Sequence, residues 1–142
     1  MKKPAEIMKF RGIELSVNWA TGQGTPVKEL PTCAGVYAEI YWPESGVRIG
    51  ETGISIRGKI RHDIGWFKSM RDGTAAPNQL RRTLPIAMAA KKSGPNGFEF
   101  YIVSADPRLI DKELRQECEK FMFKWLKEQV EYKNWNRQKS WR

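Results

Sequence analysis

Apolar and polar positions change their period several times along this chain, and each change marks an element. Residues 10–19, FRGIELSVNW, alternate apolar and polar side chains well enough for a strand. The glycine- and proline-rich ATGQGTPVKELP that follows reads as a connector. Val36, Ile40 and Trp42 then alternate with Tyr37, Glu39 and Tyr41, PESG supplies turn chemistry, and VRIGE returns, which makes a hairpin. From Ser55, a good N-cap, toward Met70 the period becomes helical, with Ile56, Ile60, Ile64 and Phe67 sharing a face that reads as core. RDGTAAPN breaks that helix. QLRRTLPIAMAAKK is helical again, with Pro85 either kinking it or opening a second short helix. A loop over 94–97 leads to FEFYIVSA, a third strand with Phe98, Phe100 and Ile102 on one side. DPRLIDKELRQECEKFMFKWLKEQVEY closes the pattern as a long amphipathic helix in which Leu114, Phe121 and Trp125 recur on one side. The order predicts an α+β fold: a small, mostly antiparallel three-stranded sheet flanked by helices, with an extra N-terminal strand.

Composition narrows the class. A chain of 142 residues with 40% hydrophobic and 11% aromatic content is expected to fold, as one domain with its own core. It has no apolar run of about 18 residues that could span a bilayer. The basic start, MKKPAEIMKF, lacks the apolar segment of a secretory signal. Cys33 and Cys118 lie far apart, and one histidine cannot complete a zinc set, so both read as free thiols of a reducing, cytoplasmic compartment, nucleoid-associated in a bacterium or phage.

Charge changes the picture more. The net charge is +9, and from Arg57 to Lys92 nine Lys/Arg stand against Asp63 and Asp72, a local +7. The last eleven residues add four positive charges and no negative one, interleaved with Tyr132, Trp135 and Trp141. Clustering of one sign favours a polyanionic partner.

GVY at 35–37, RIG at 48–50 and the basic helix after them resemble the motifs of the GIY-YIG nuclease superfamily. Asn78 before a helix, SGPNGFEFYIVSA as glycine and third strand, and a glutamate-bearing helix extend the resemblance over Pro31 to Asn136. It divides the chain into an N-terminal strand and connector extension (1–30), a GIY-YIG-like nuclease domain (31–130) and a basic aromatic tail (131–142).

The resemblance implies a Mg²⁺- or Mn²⁺-dependent endonuclease acting on DNA, with one glutamate holding the metal, tyrosine hydroxyls handling water, and an arginine on the phosphate. Tyr37 matches the first motif's tyrosine, as general base or water-orienting group. Arg48 stands where the second motif carries tyrosine, either as a basic substitute in contact with phosphate or water, or as the mark of a crippled site. For the helix arginine, Arg57 is the choice, with Arg61 and Lys59 as alternates; aligning Ile56 and Ile60 with the family pattern puts Lys59 in that place, at the loss of a bidentate fork. His62 sits near where many relatives carry a histidine, and could bond the phosphate, tune the tyrosine or simply face solvent. Glu117, at the edge of the apolar stripe between Leu114 and Phe121, is the choice for the metal. Glu113 is the runner-up, and Glu119 points elsewhere by about 200° of helix. Thr52 follows Glu51 where the family often has a small or hydroxyl residue, and Gly50 would let backbone approach the phosphate. Lys59, Arg81, Arg82, Lys91 and Lys92 would grip the DNA backbone. A double-strand break would need two nicking sites, hence a homodimer. Two other readings stand beside this one. The first is a nucleic-acid-binding protein on the same fold without cleavage. The second is a protein-interaction module anchored by Trp135 and Trp141.

Overall fold

In the computed structural model, which describes residues 7–19, 24–76 and 84–136, the chain opens with two strands where one was expected. β1 (Ile7–Phe10) and β2 (Ile13–Ser16) form an antiparallel hairpin closed by Arg11 and Gly12. Both turn residues have positive φ, 53° and 81°, as a two-residue turn between right-twisted strands demands. The alternation that suggested a strand over 10–19 is real, but it is interrupted by that turn.

The main sheet is built from β3 (Gly35–Tyr41), β4 (Gly46–Thr52), β5 (Phe98–Ser104) and the two-residue β6 (Lys133–Asn134). Its order is β5-β3-β4-β6, with β3 antiparallel to both neighbours and β6 parallel to β4. Three of these strands match the sequence pattern. The fourth comes from the stretch read as a tail, and the reason is Trp135. It is 6% exposed, stacks on Tyr41 with ring centroids 5.9 Å apart, and lies on Gly46, where any Cβ would collide with the indole. Trp135 is therefore core rather than an interface anchor; Trp141 lies outside the described residues.

The first helix, α1 (Ile56–Asp72), begins as expected: Ser55 caps it, its hydroxyl accepting from the Gly58 amide at 3.0 Å. Gly73, at φ 75°, ends it. α2 (Leu84–Ser93) includes Pro85; Asn78, Arg81 and Arg82 lie outside the described residues. The last helix is α3 (Lys112–Lys127), capped by Asp111.

Both faces of the sheet are covered, which is why all seven residues of β3 are buried. Tyr37, Tyr41, Phe98 and Phe100 pack with Ile56, Ile60 and Phe67 of α1 and with the alanines of α2. On the other face Val36, Ala38, Ile40, Val47 and Ile49 pack with Cys118, Met122 and Leu126 of α3 and with Ile13 and Leu15 of the hairpin. α3 thus carries two apolar stripes. Residues 118, 122 and 126 are buried against the sheet. Phe121 and Trp125, by contrast, meet Phe10 (centroids 4.9 Å) and Trp19 (5.5 Å, edge-on) of the N-terminal segment. No helix among the described residues is long and apolar enough to cross a membrane, and both cysteines are free.

Candidate active site

The hairpin register places Glu39 directly opposite Arg48 and Tyr37 opposite Gly50. Side chains alternate across a strand, so Tyr37, Glu39, Arg48 and Gly50 share one face, the face under α1. Gly50 has a packing role here: a Cβ would overlap the Tyr37 ring and its hydroxyl. We expect Gly50→Ala to displace Tyr37 and to cost about 1–3 kcal/mol, as overpacked cores do, read as a lowered urea midpoint at unchanged slope.

Arg48 is the hub. Its Nη1 donates to Glu39 Oε1 at 3.0 Å and stands 3.7 Å from Asp63 Oδ2. Asp63 comes from the buried stripe of α1 and also faces Lys59 Nζ at 3.6 Å and His62 Nδ1 at 3.5 Å. Glu39 is 1% exposed and Asp63 6%. Burial first, and the neighbouring Asp63 next, push the Glu39 carboxyl well above the ordinary carboxylate range, against the pull of Arg48. The Tyr37 hydroxyl is buried without a hydrogen-bond partner, and burial with the adjacent Glu39 raises it well above the usual phenol value. As arranged, Tyr37 is a hydroxyl donor and not a phenolate base. The guanidinium of Arg48, held between these acids, stays charged at any ordinary pH.

α3, which covers the opposite face of the sheet, brings Glu119 within electrostatic reach of Arg48. The Glu119 carboxyl is pushed up to about 7, chiefly by burial, then by the negative Glu51, while Arg48 and Arg115 pull it down. Arg115, buried, pairs with Glu51 and donates to the Leu109 carbonyl at 3.1 Å. Its guanidinium also lies close over Gly53, so it locks the segment after β4 to the start of α3.

The structure therefore brings together Tyr37, Arg48 and Lys59 of the residues expected from sequence, and adds Glu39 and Asp63, with Glu119 within electrostatic reach. The others go elsewhere. Arg57 donates to the Leu30 carbonyl at 2.9 Å, tying α1 to the preceding connector. Arg61 and His62 are exposed, His62 touching only the rim of the cluster through Asp63. Lys91 and Lys92 are exposed at the end of α2. Glu113 is exposed, and Glu117 pairs with Arg11 of the hairpin turn. Glu119 lies within electrostatic reach of Glu51, Arg48 and Arg115, while the aromatic residues beside Glu117, Phe121 and Trp125, meet the N-terminal segment. Two of the added residues carry sequence signals. Asp63 interrupts the spacing 56, 60, 67, 70 of the buried α1 stripe, and Glu39 follows from pairing the strands outward from the PESG turn.

Among the described residues no group of three or more His, Cys, Asp or Glu could hold a metal by itself. A single carboxylate holds Mg²⁺ weakly and leaves the shell to water and phosphate. Glu119, which makes no ion pair among the described residues and lies within electrostatic reach of Arg48, fits that sparse mode; Glu51 is engaged by Arg115.

A three-helix arrangement around a mostly antiparallel sheet, with the tyrosine and second-motif strands paired at its centre, is a GIY-YIG-like fold. Solved structures place it more closely. The chain is similar to a mutant of the catalytic domain of intron endonuclease I-TevI, at TM-score 0.51 and 21% identity over 71% of this chain and 91% of that one. It is also similar to the catalytic domain of homing endonuclease I-TevI, at TM-score 0.50 and 22% identity over 71% of this chain and 96% of that one. At such identities the likeness is one of fold. No protein-family model and no curated protein sequence matches the chain.

Proposed function

We propose that this protein is a divalent-metal-dependent endonuclease that hydrolyses phosphodiester bonds in DNA. The observation that carries the reading is the convergence on Arg48 of a tyrosine hydroxyl, a second cation and a poised carboxylate. These are Tyr37, Lys59 and Glu119, on a fold shared with endonuclease catalytic domains. Arg48, with 26% of its side chain exposed, and Lys59, with 35%, would receive the phosphate and stabilise charge on its oxygens as the transition state forms. Tyr37, held protonated, would donate to an oxygen of water or phosphate. Glu119 replaces Glu117 as the residue that would hold Mg²⁺ or Mn²⁺, and the bound cation would polarise the scissile phosphate. The net charge of +9 would supply most of the affinity for duplex, so binding should weaken steeply with salt and depend little on sequence.

One observation favours the second reading, a DNA-binding protein without cleavage. Both cations of the site are already ion-paired, Arg48 with Glu39 and Asp63, and Lys59 with Asp63. Supercoiled plasmid incubated with and without Mg²⁺ or Mn²⁺ separates the two. Metal-dependent nicking that disappears in Arg48→Met and Tyr37→Phe supports the endonuclease. Binding without nicking in either metal, across duplex, branched and single-stranded DNA, establishes the other.

A further inference from the structure

The charges around Arg48 do not add up to an anion site while both buried acids are ionised. Arg48 and Lys59 contribute two positive charges, and Glu39 and Asp63 remove both. Three buried oxygens at this spot, Glu39 Oε2, Asp63 Oδ2 and the Tyr37 hydroxyl, have no hydrogen-bond partner. Two carboxyls flanking one guanidinium, each with an orphaned oxygen, are better satisfied when one of the pair takes up a proton, since unpaired buried acceptors are costly.

We propose that Glu39 and Asp63 are positioning residues that couple polyanion binding at Arg48 and Lys59 to the uptake of one proton. The inference rests on the DNA reading of the site. With the proton bound, the four groups carry +1 and Arg48 is offered to phosphate; without it they are neutral and Arg48 is spent on its own acids. The rise of the Glu39 carboxyl, caused by burial and by Asp63, is in the same direction. Glu39 and Asp63 are faced by Tyr37 from β3, Arg48 from β4, and Lys59 and His62 from α1. Glu51, paired with Arg115, and Glu119, within electrostatic reach of Arg48, are the charged groups on the α3 side. Of these, the Glu119 carboxyl is pushed up to about 7 and His62 touches Asp63 directly, so the experiment must remove them in turn.

The test uses the full chain carrying Glu119→Gln, without metal, and a labelled short DNA duplex at constant ionic strength from pH 6 to pH 8. Affinity in this background should fall by about three- to tenfold over that range, since a one-proton linkage has a slope of at most one. The fall should vanish on adding Glu39→Gln or Asp63→Asn, and should survive His62→Gln. Carbon-detected NMR of the unbound protein should show a carboxyl titrating well above the ordinary carboxylate range that Glu39→Gln abolishes. Glu39→Gln keeps an acceptor for Arg48 and a donor for Asp63; if circular dichroism shows it unfolded, Asp63→Asn decides alone. An unchanged pH slope in the folded variants overturns the coupling, as does a slope lost in His62→Gln, or every carboxyl titrating below about pH 5. No DNA binding at any pH, with the raised carboxyl present, overturns the DNA reading and the coupling with it, while the proton on the pair stands as measured.

Discussion

Glu119→Gln should lower metal-dependent plasmid nicking by on the order of 10²–10³-fold, the usual cost of removing a group that acts on transition-state charge. It should also make the protein more stable at alkaline pH. The carboxyl of Glu119 is raised in the folded protein from 4.5 to about 7, first by burial and then by Glu51. Folding therefore favours its protonated form. That contribution is fully present below the unfolded value near 4.5 and is lost as pH rises through about 7. At pH 8 the native state carries a half-buried carboxylate that glutamine would not, so the variant should gain about 1–2 kcal/mol there after allowance for solvent screening, and almost nothing at pH 4.5. Urea denaturation at the two pH values, beside the nicking assay, reads both effects. Glu117→Gln supplies the contrast: its partner Arg11 is largely exposed, and such pairs are worth at most about 1 kcal/mol, so activity should stay within about threefold. Loss of nicking in Glu117→Gln with activity retained in Glu119→Gln would return the metal role to Glu117.

The largest stability effect is expected at Arg48. Replacing it by leucine leaves Glu39, 1% exposed, and Asp63, 6% exposed, without their shared cation. Removing one partner of a buried ionic group typically costs about 3–5 kcal/mol, because an uncompensated charge remains. Since both survivors are acids, the loss should shrink as pH falls and they take up protons. Arg48→Leu combined with Glu39→Leu should recover much of it, as an apolar pair of matching shape replaces the ionic one. Equilibrium unfolding of the two single variants and the double at pH 5 and pH 8 measures the coupling. Additive effects would mean that Arg48 is held by solvent and not by Glu39. The same geometry explains why Arg48 is no simple substitute for the tyrosine of the related motif. A phenol needs no counter-charge at that point of the strand, whereas a guanidinium does, and Glu39 and Asp63 supply it.

Sequence alone determined a good part of this protein, namely whatever depends on neighbours along the chain. The α1 start at Ser55, the strand pair around the PESG turn, the strand bearing Phe98, Phe100 and Ile102, and the long final helix all follow from local period and capping, and all are present. So does the GIY-YIG-like fold, since the order and spacing of the motifs already contained it. Tertiary structure decided which of two equally apolar stripes on α3 meets the sheet. Periodicity reports that a face is buried and is silent about what covers it; the N-terminal segment took the stripe beside Glu117, while Glu119 lies within electrostatic reach of Glu51 and Arg48. It also decided that Arg57 is spent on the Leu30 carbonyl while Lys59 reaches Asp63, a difference of half a helical turn that no charge count distinguishes. Trp135 became core and drew β6 into the sheet because Gly46, nearly ninety residues earlier, leaves room for an indole. In each case the deciding partner lies far away in sequence, and only packing brings it into reach.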